Sequence, residues 1–155
     1  MLKLLVTSAF VLSASAAQAV DYRWTTGFGQ GTLEAKITNR SKDELIVYCA
    51  SGQDGHPAGM FFTIGARTYR PREKVYVQFV VDGKNHSFEF AETQYEASGR
   101  AFFGNLYDFV AALASSKTSS FLFEVPAENI SRSLSLLNVG DALGTPSDLI
   151  VDGCK

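Results

Sequence analysis

The sequence has few residues of the kinds that build metal sites or nucleic-acid surfaces. Among its 155 residues are two histidines and two cysteines, and its formal net charge is −2 at pH 7. His56 and His86 do not have the close spacing by which zinc ligands are recognised in a sequence. A nucleic-acid-binding domain would normally have a basic face. The composition therefore predicts no metal, no other cofactor and no nucleic-acid partner.

Motifs for catalysis are missing as well. No serine lies in a Gly-x-Ser-x-Gly sequence, and no Ser-x-x-Lys motif stands where a helix would open a pocket. The glycine-rich residues 27–31 have no apolar strand before them and no lysine or helix after them, so we expect a turn there and not a phosphate-binding loop. Glu89, Glu92 and Glu96 fit the solvent side of a strand without any role in glycoside hydrolysis. We expect a protein that is not an enzyme, with an unrecognised hydrolase as an alternative.

The first 19 residues have the three-part order of a secretory signal peptide. Lys3 supplies the positive charge, an apolar run follows at 4–12, and residues 17–19 read Ala-Gln-Ala, a small-x-small cleavage site. The apolar run is far shorter than the roughly 20 residues that a membrane-spanning helix needs. We expect cleavage after Ala19 and a bacterial protein of the periplasm or the medium, without stable membrane insertion. Residues 20–155 are predicted to form a single β-rich domain.

Cys49 and Cys154 are the two cysteines of the chain. Outside the cytoplasm the environment is oxidising, and such a pair usually forms a disulfide. Cys154 is the penultimate residue and Cys49 follows an apolar run, which does not favour a nucleophilic thiol. The sequence therefore predicts a bridge that links the C-terminal end to an early strand. Closing so long a loop would contribute about 4 to 5 kcal/mol.

Hydrophobic periodicity predicts the fold class. Alternation of apolar and polar residues, broken by turn residues, indicates about seven strands, and Asp82-Gly83 indicates a tight β-hairpin. The period changes to that of a helix from about Asn105, as its N-cap, to Ser115, and a short helical turn follows around residues 139–143. This order predicts a mainly β fold: an antiparallel β-sandwich or curled sheet with one α-helix packed at one end.

A basic cluster is the best candidate for a charged contact surface. Arg67, Arg70 and Arg72 lie with Tyr69 and Lys74 within a short segment around a proline. Such a cluster can bind an acidic partner. It can equally be a solvated loop whose charges keep a sheet edge soluble.

Two aromatic residues near the predicted new N-terminus form a second candidate surface. Trp24 and Phe28 are separate from the aromatic residues that occupy the apolar positions of the later strands. Exposed aromatic side chains can anchor a protein partner. The alternative is that both residues pack onto the sheet.

The order of elements resembles that of two groups of exported proteins. A strand ends at Cys49, a hairpin turns at residues 80–83, and a helix rich in Phe, Ala and Leu precedes a strand and turn at residues 134–143 and the terminal Cys154. This layout resembles small exported β-sandwich proteins of the invasion-associated locus B type and periplasmic accessory proteins of type VI secretion loci. The resemblance, which covers about residues 45–154, implies a binding or envelope-associated module without catalysis.

The sequence as a whole leads to an expectation of a periplasmic, non-enzymatic domain that binds another protein. Its size, export and cysteine content are also those of periplasmic immunity proteins and enzyme inhibitors. The expected partner is a protein of the cell envelope or a secreted effector, and the role is that of an inhibitor or immunity protein, or of an envelope or secretion accessory. A module that binds a small ligand or a glycan is the alternative.

Overall fold

The computed structural model describes residues 22–50, 57–97 and 100–154 of the chain. The predicted signal peptide and its cleavage site lie outside these described residues, as does His56. Within the described ranges the chain forms β-strands, two α-helices and two short 3-10 helical turns.

In the described residues, nine strands form one antiparallel sheet in the order β1-β2-β3-β4-β7-β6-β5-β8-β9. These strands are β1 (Thr25–Gly29), β2 (Thr32–Thr38), β3 (Glu44–Ala50), β4 (Ala58–Thr63), β5 (Lys74–Val81), β6 (Lys84–Ala91), β7 (Gln94–Glu96), β8 (Ser120–Val125) and β9 (Ile130–Ser135). A second, two-stranded ladder pairs β10 (Gly144–Thr145) with β11 (Asp148–Leu149). The main sheet is not closed, because β1 and β9 are its two edges. The predicted mainly β fold with a large antiparallel sheet and one sizeable helix is confirmed.

The main helix, α1 (Arg100–Ser115), packs on the sheet through the apolar side chains that its spacing predicts. Leu106, Phe109, Val110 and Leu113 are all buried. The ring of Phe109 stacks on that of Phe79 in β5, with their centroids 4.8 Å apart. Such aromatic contacts bury large apolar surfaces, and both rings belong to the hydrophobic core.

The helix begins at Arg100, so the prediction that it begins with Asn105 as its N-cap is wrong. The side-chain amide of Asn105 instead donates a hydrogen bond to the Ser87 carbonyl of β6 over 3.2 Å. None of the first six helical residues is buried, so hydrophobic periodicity cannot reveal this part of the helix. The short second helix, α2 (Val139–Leu143), agrees with the predicted helical turn.

The glycine-rich segment near the N-terminus contains a strand, and the prediction of a turn over residues 27–31 is wrong. Only Gln30 and Gly31 form the turn, with φ values of 53° and 78°. The residues before them pair with β2 as strand β1. Every residue of β1 is exposed, so the strand has no alternation of buried and exposed positions. The predicted hairpin at Asp82-Gly83 is confirmed, with φ values of 48° and 78° that suit a tight strand reversal.

The predicted disulfide between Cys49 and Cys154 is confirmed. It joins β3 to the 3-10 turn Ile150–Cys154 across 105 residues of sequence, and the two Cα atoms are 5.9 Å apart. The bridge fixes the C-terminal segment against one end of the sheet. Among the described residues, no helix has both the length and the apolar character to cross a membrane.

Candidate functional site

Two members of the basic cluster, Arg67 and Tyr69, have structural partners. The Arg67 guanidinium forms ion pairs with Glu73 and Glu128 and lies over the Tyr69 ring, 4.9 Å from its centroid. The Tyr69 hydroxyl accepts a hydrogen bond from the Ile64 N–H over 3.0 Å, and burial raises the pKa of that hydroxyl. These contacts hold the segment between β4 and β5 in place, so they do not leave Arg67 and Tyr69 available as a simple basic surface.

Arg70 and Arg72 are exposed, but acidic side chains lie among them. Their backbone N–H groups donate to the carboxylates of Glu73 and Glu92, each over 2.8 Å. The Arg70 N–H bond is the largest cause of a lowered pKa of Glu73. Lys74 pairs with a glutamate of the neighbouring strand. The cluster is therefore a loop of mixed charge, which fits the solvated-loop interpretation better than a surface for polyanions.

A polar cleft lies between β6 and α1 and contains His86. Its volume is about 610 Å³, and Lys84, Asn105 and Asp108 also line it. The Nε2 atom of His86 is buried and has no hydrogen-bond partner among the described residues. Burial lowers the pKa of His86, and the nearby Asp108 carboxylate opposes that effect. The imidazole ring thus lines the cleft, while its Nε2 atom is buried beneath it.

The same cleft does not contain an assembled catalytic set among its described lining residues. The Ser115 hydroxyl, the one serine that lines it, donates to the Ala111 carbonyl of its own helix over 2.7 Å. Within the three described ranges, no group of three His, Cys, Asp or Glu side chains is arranged to hold a metal ion. The geometry therefore offers a small polar binding site and no activated nucleophile.

The outer edge of β9 is covered by side chains from the opposite end of the sheet. The Trp24 indole N–H donates to the Ser135 carbonyl over 2.9 Å, and the Asn39 amide donates to the Ser133 carbonyl over 3.1 Å. Trp24 is 0% exposed and belongs to the core. Of the two alternatives for Trp24, packing onto the sheet is correct and an exposed anchor is wrong, because its ring packs inside while its N–H donates to an edge carbonyl.

A buried carboxylate strengthens this covered edge. Asp43 is 0% exposed, and one of its oxygens accepts from the Arg132 guanidinium of β9 over 2.7 Å. Its other oxygen accepts from the Asn39 amide over 2.8 Å. Buried charges are stable only when they are paired and hydrogen-bonded, as Asp43 is. The turn before β3 is thereby joined to the last strand of the sheet.

The outer edge of β1 has no such cover among the described residues. The strand pairs with β2 alone, and its sequence Thr-Thr-Gly-Phe-Gly contains no charge and no proline. Native sheets usually protect an edge by charges, proline, bulges or a covering segment. The two-residue turn makes Gly29 and Thr32 a hydrogen-bonded pair. Hydrogen-bonded and non-hydrogen-bonded pairs alternate along an antiparallel ladder, so the backbone N–H and C=O groups of Thr26 and Phe28 point away from β2. This edge is a template for another strand.

An apolar groove lies beside the open edge. Phe28 is 73% exposed, and its cross-strand neighbour Leu33 is 38% exposed, although Leu33 shares a face of β2 with the fully buried Ala35. Both line a groove of about 490 Å³ whose other lining residues are Thr26, Cys49, Asp141, Ala142, Leu143, Gly144, Asp148, Leu149, Ile150 and Gly153. The core is thus left open at this end of the sheet, next to unpaired backbone groups.

Sequence reasoning identified Phe28 but not the rest of this site. Alternation along β2 puts Leu33 on the same face as the buried Ala35, so the sequence does not reveal its exposure. The lining residues after residue 140 come from short elements without periodicity. One signal could have identified β1. Gln30-Gly31 stands between two short segments, and a residue pair that ends in glycine is typical of a two-residue hairpin turn.

A comparison with known families gives one match. The family model described as YfjT matches residues 22–143, which include β1, β9, α1 and α2. The chain belongs to the YfjT family. Neither the curated proteins nor the solved structures contain a match to the chain. The resemblance to invasion-associated locus B proteins and type VI secretion accessory proteins is not tested by this match and stays a prediction.

Proposed function

We propose that this YfjT-family protein works outside the cytoplasm and binds another protein, whose extended segment adds to the sheet beside β1. The observation that carries this proposal is the exposed, uncharged edge of β1. In recognition by strand addition, main-chain hydrogen bonds supply affinity and pockets for alternate side chains supply specificity. Phe28 and the adjacent groove provide such a pocket.

Two features support a location outside the cytoplasm. The disulfide between Cys49 and Cys154 is of the kind that forms and persists in oxidising compartments. Residues 1–19 have the order of a secretory signal peptide. We place the protein in the periplasm or the medium, where its partner is an envelope protein or a secreted effector and its role is that of an inhibitor, an immunity protein or a secretion accessory.

The proposal is tested by blocking the edge without changing the hairpin. Thr26→Pro removes a backbone N–H that faces away from β2, so the β1-β2 ladder is retained while a partner strand loses a donor. Thr26→Ala is the side-chain control. Tagged protein is used to capture partners from a periplasmic extract of the native host, and we expect Thr26→Pro to reduce capture at least tenfold and Thr26→Ala to reduce it less than threefold.

The matched control lies on the other edge of the sheet. Ser131 has the same phase in β9 as Ser133 and Ser135, whose carbonyls point away from β8. Ser131→Pro therefore removes a backbone N–H that points away from β8 on the covered edge. We expect partner capture to be unchanged in this variant. Capture that survives Thr26→Pro in a folded variant would exclude β1 as the binding edge.

The cleft at His86 supports a second candidate function, the binding of a small polar ligand or glycan. The specific observation in its favour is the cleft of about 610 Å³, whose lining includes the polar side chains of Lys84, Asn105 and Asp108. A thermal-shift screen with monosaccharides and disaccharides tests it. Stabilisation that disappears in His86→Gln would establish this second function, and no stabilisation by any sugar would remove the glycan form of it.

A further inference from the structure

We infer that the segment bound at β1 presents an apolar side chain and, two residues away on the same face, a lysine or arginine. This inference rests on the proposed function, because it describes the partner of the same edge. Its basis is the composition of the groove beside β1, in which an apolar floor is combined with carboxylates and no cation.

The apolar part of the groove fits one side chain of the partner. Phe28 and Leu33 form one wall from the β1-β2 hairpin, and Leu143, Leu149 and Ile150 contribute from the C-terminal segment. The disulfide of Cys49 fixes that segment relative to the hairpin, so the groove does not depend on a flexible loop for its shape. An apolar side chain placed here would cover the exposed ring of Phe28 and remove apolar surface from water.

The carboxylates of the groove favour a basic second side chain in the partner segment. Asp141 in α2 and Asp148 in β11 both line the groove and both are exposed, whereas none of its described lining residues is a lysine or arginine. A basic side chain would be attracted to these carboxylates, and an acidic one would be repelled. Charge complementarity therefore favours a basic partner segment over an acidic one.

The spacing between the two side chains follows from strand geometry. Successive residues of a strand point to opposite faces of the sheet, so residues on the groove side are two apart, at about 3.3 Å per residue. The apolar and basic residues must share that side, because the apolar lining and the carboxylates belong to one groove. An apolar residue directly next to the basic residue would place one of them on the wrong face.

Four synthetic peptides test the inference by fluorescence anisotropy on the full-length mature protein. The first is Ser-Thr-Leu-Thr-Lys-Thr-Ser-amide with fluorescein attached to its N-terminal amine, so that the lysine side chain stays charged. The second exchanges the lysine for glutamate, the third has leucine and lysine adjacent, and the fourth has N-methyl groups on the backbone amides that face β1. We expect the first peptide to bind at least fivefold more tightly than each of the others, with weaker binding at higher salt.

Charge reversal in the protein provides the complementary measurement. In the double variant Asp141→Lys with Asp148→Lys, the preference should invert, so that the glutamate peptide binds more tightly than the lysine peptide. Glu96→Lys is the matched control, because Glu96 is an exposed carboxylate of β7, which is separated from β1 by three strands. This control should retain the preference for lysine, and circular dichroism checks that all variants are folded.

The outcomes separate the inference from the proposed function. If Thr26→Pro abolishes capture but the four peptides bind equally or not at all, the inference is wrong and strand addition at β1 stands. Capture that is unaffected by Thr26→Pro overturns the proposed function itself. Sedimentation that shows a dimer of the mature protein, lost in Thr26→Pro, would mean that a second copy occupies the edge, which also overturns the inference.

Discussion

The two edges of the main sheet differ in whether other described residues cover them. At β9, side chains of Trp24 and Asn39 satisfy outward carbonyls, and Arg132 forms an ion pair with the buried Asp43. At β1, all five residues are exposed, and the strand contains neither charge nor proline. Among the described residues, the side chains that cover a sheet edge therefore lie at β9 and not at β1. An uncovered edge can pair with another strand, which is the basis of the proposal that a partner binds at β1.

The difference also separates structural from functional residues. At the β9 edge, Trp24 is buried and Asp43 is paired with Arg132, so removing these side chains should cost stability. Phe28 and Leu33 beside the open edge have exposed apolar surface, and changing them should affect binding while the fold is retained.

Removal of the disulfide should destabilise the protein and disturb the β1 side selectively. The bridge joins two cysteines that are 105 residues apart in sequence, and closing so long a loop restricts the unfolded chain strongly. Replacing both cysteines by alanine should therefore lower the free energy of unfolding by about 4 to 5 kcal/mol. The C-terminal segment that lines the groove would lose its anchor, so binding of the lysine peptide should weaken in conditions where the variant is folded. Urea unfolding and anisotropy measure the two effects.

Trp24 is the only tryptophan of the chain, so its fluorescence reports on the covered edge in that experiment. We expect the emission of folded variant and unmodified protein to coincide. A red-shifted emission would contradict a selective effect on the β1 side.

Removal of Trp24 should disturb the covered edge. Trp24→Ala deletes a fully buried ring and the donor to the Ser135 carbonyl, and we expect a loss of about 3 to 5 kcal/mol of unfolding free energy. Trp24→Phe keeps an aromatic ring but loses the N–H, and leaving that carbonyl without its donor should contribute about 1 to 3 kcal/mol. Urea unfolding followed by circular dichroism checks both. Equal stability of all three proteins would contradict the structural role of the covered edge.

Mild acid should affect stability slightly and leave binding at β1 unchanged. Burial lowers the pKa of His86 below its ordinary value of 6.5, so the unfolded chain binds a proton at higher pH than the folded one. Stability is then greatest above pH 6.5 and falls as the pH decreases through the folded-state pKa. Because none of the described residues of β1 or its groove is a histidine, binding of the lysine peptide should not change between pH 7.5 and about pH 6.

The variant His86→Gln isolates this contribution. We expect its stability to decrease less than that of the unmodified protein over the same pH range, as measured by thermal unfolding. Identical pH profiles would show that His86 does not titrate differently in the folded state.

Neither the covered edge nor the open edge can be read from the sequence, and the physical reasons differ. Alternation and helical spacing identify strands such as β5 and the buried face of α1, because each has one buried side. They do not identify β1, because every residue of this strand is exposed and its sequence therefore has no alternation of apolar and polar positions. The carbonyl partners of Trp24 and Asn39 are 111 and 94 residues away in sequence, and only the curvature of the sheet brings them together. The disulfide was predictable because the chain has only two cysteines.

Photo-crosslinking in the native host tests most directly whether β1 is the working edge. Benzoyl-phenylalanine is placed at position 28 on the open edge, at position 131 on the covered edge, or at position 70 in the basic cluster, and adducts are identified by mass spectrometry after irradiation. We predict a specific protein adduct from position 28, absent when Thr26→Pro is added, and none from positions 131 and 70. Adducts from position 131 or 70 with none from position 28 would contradict strand addition at β1.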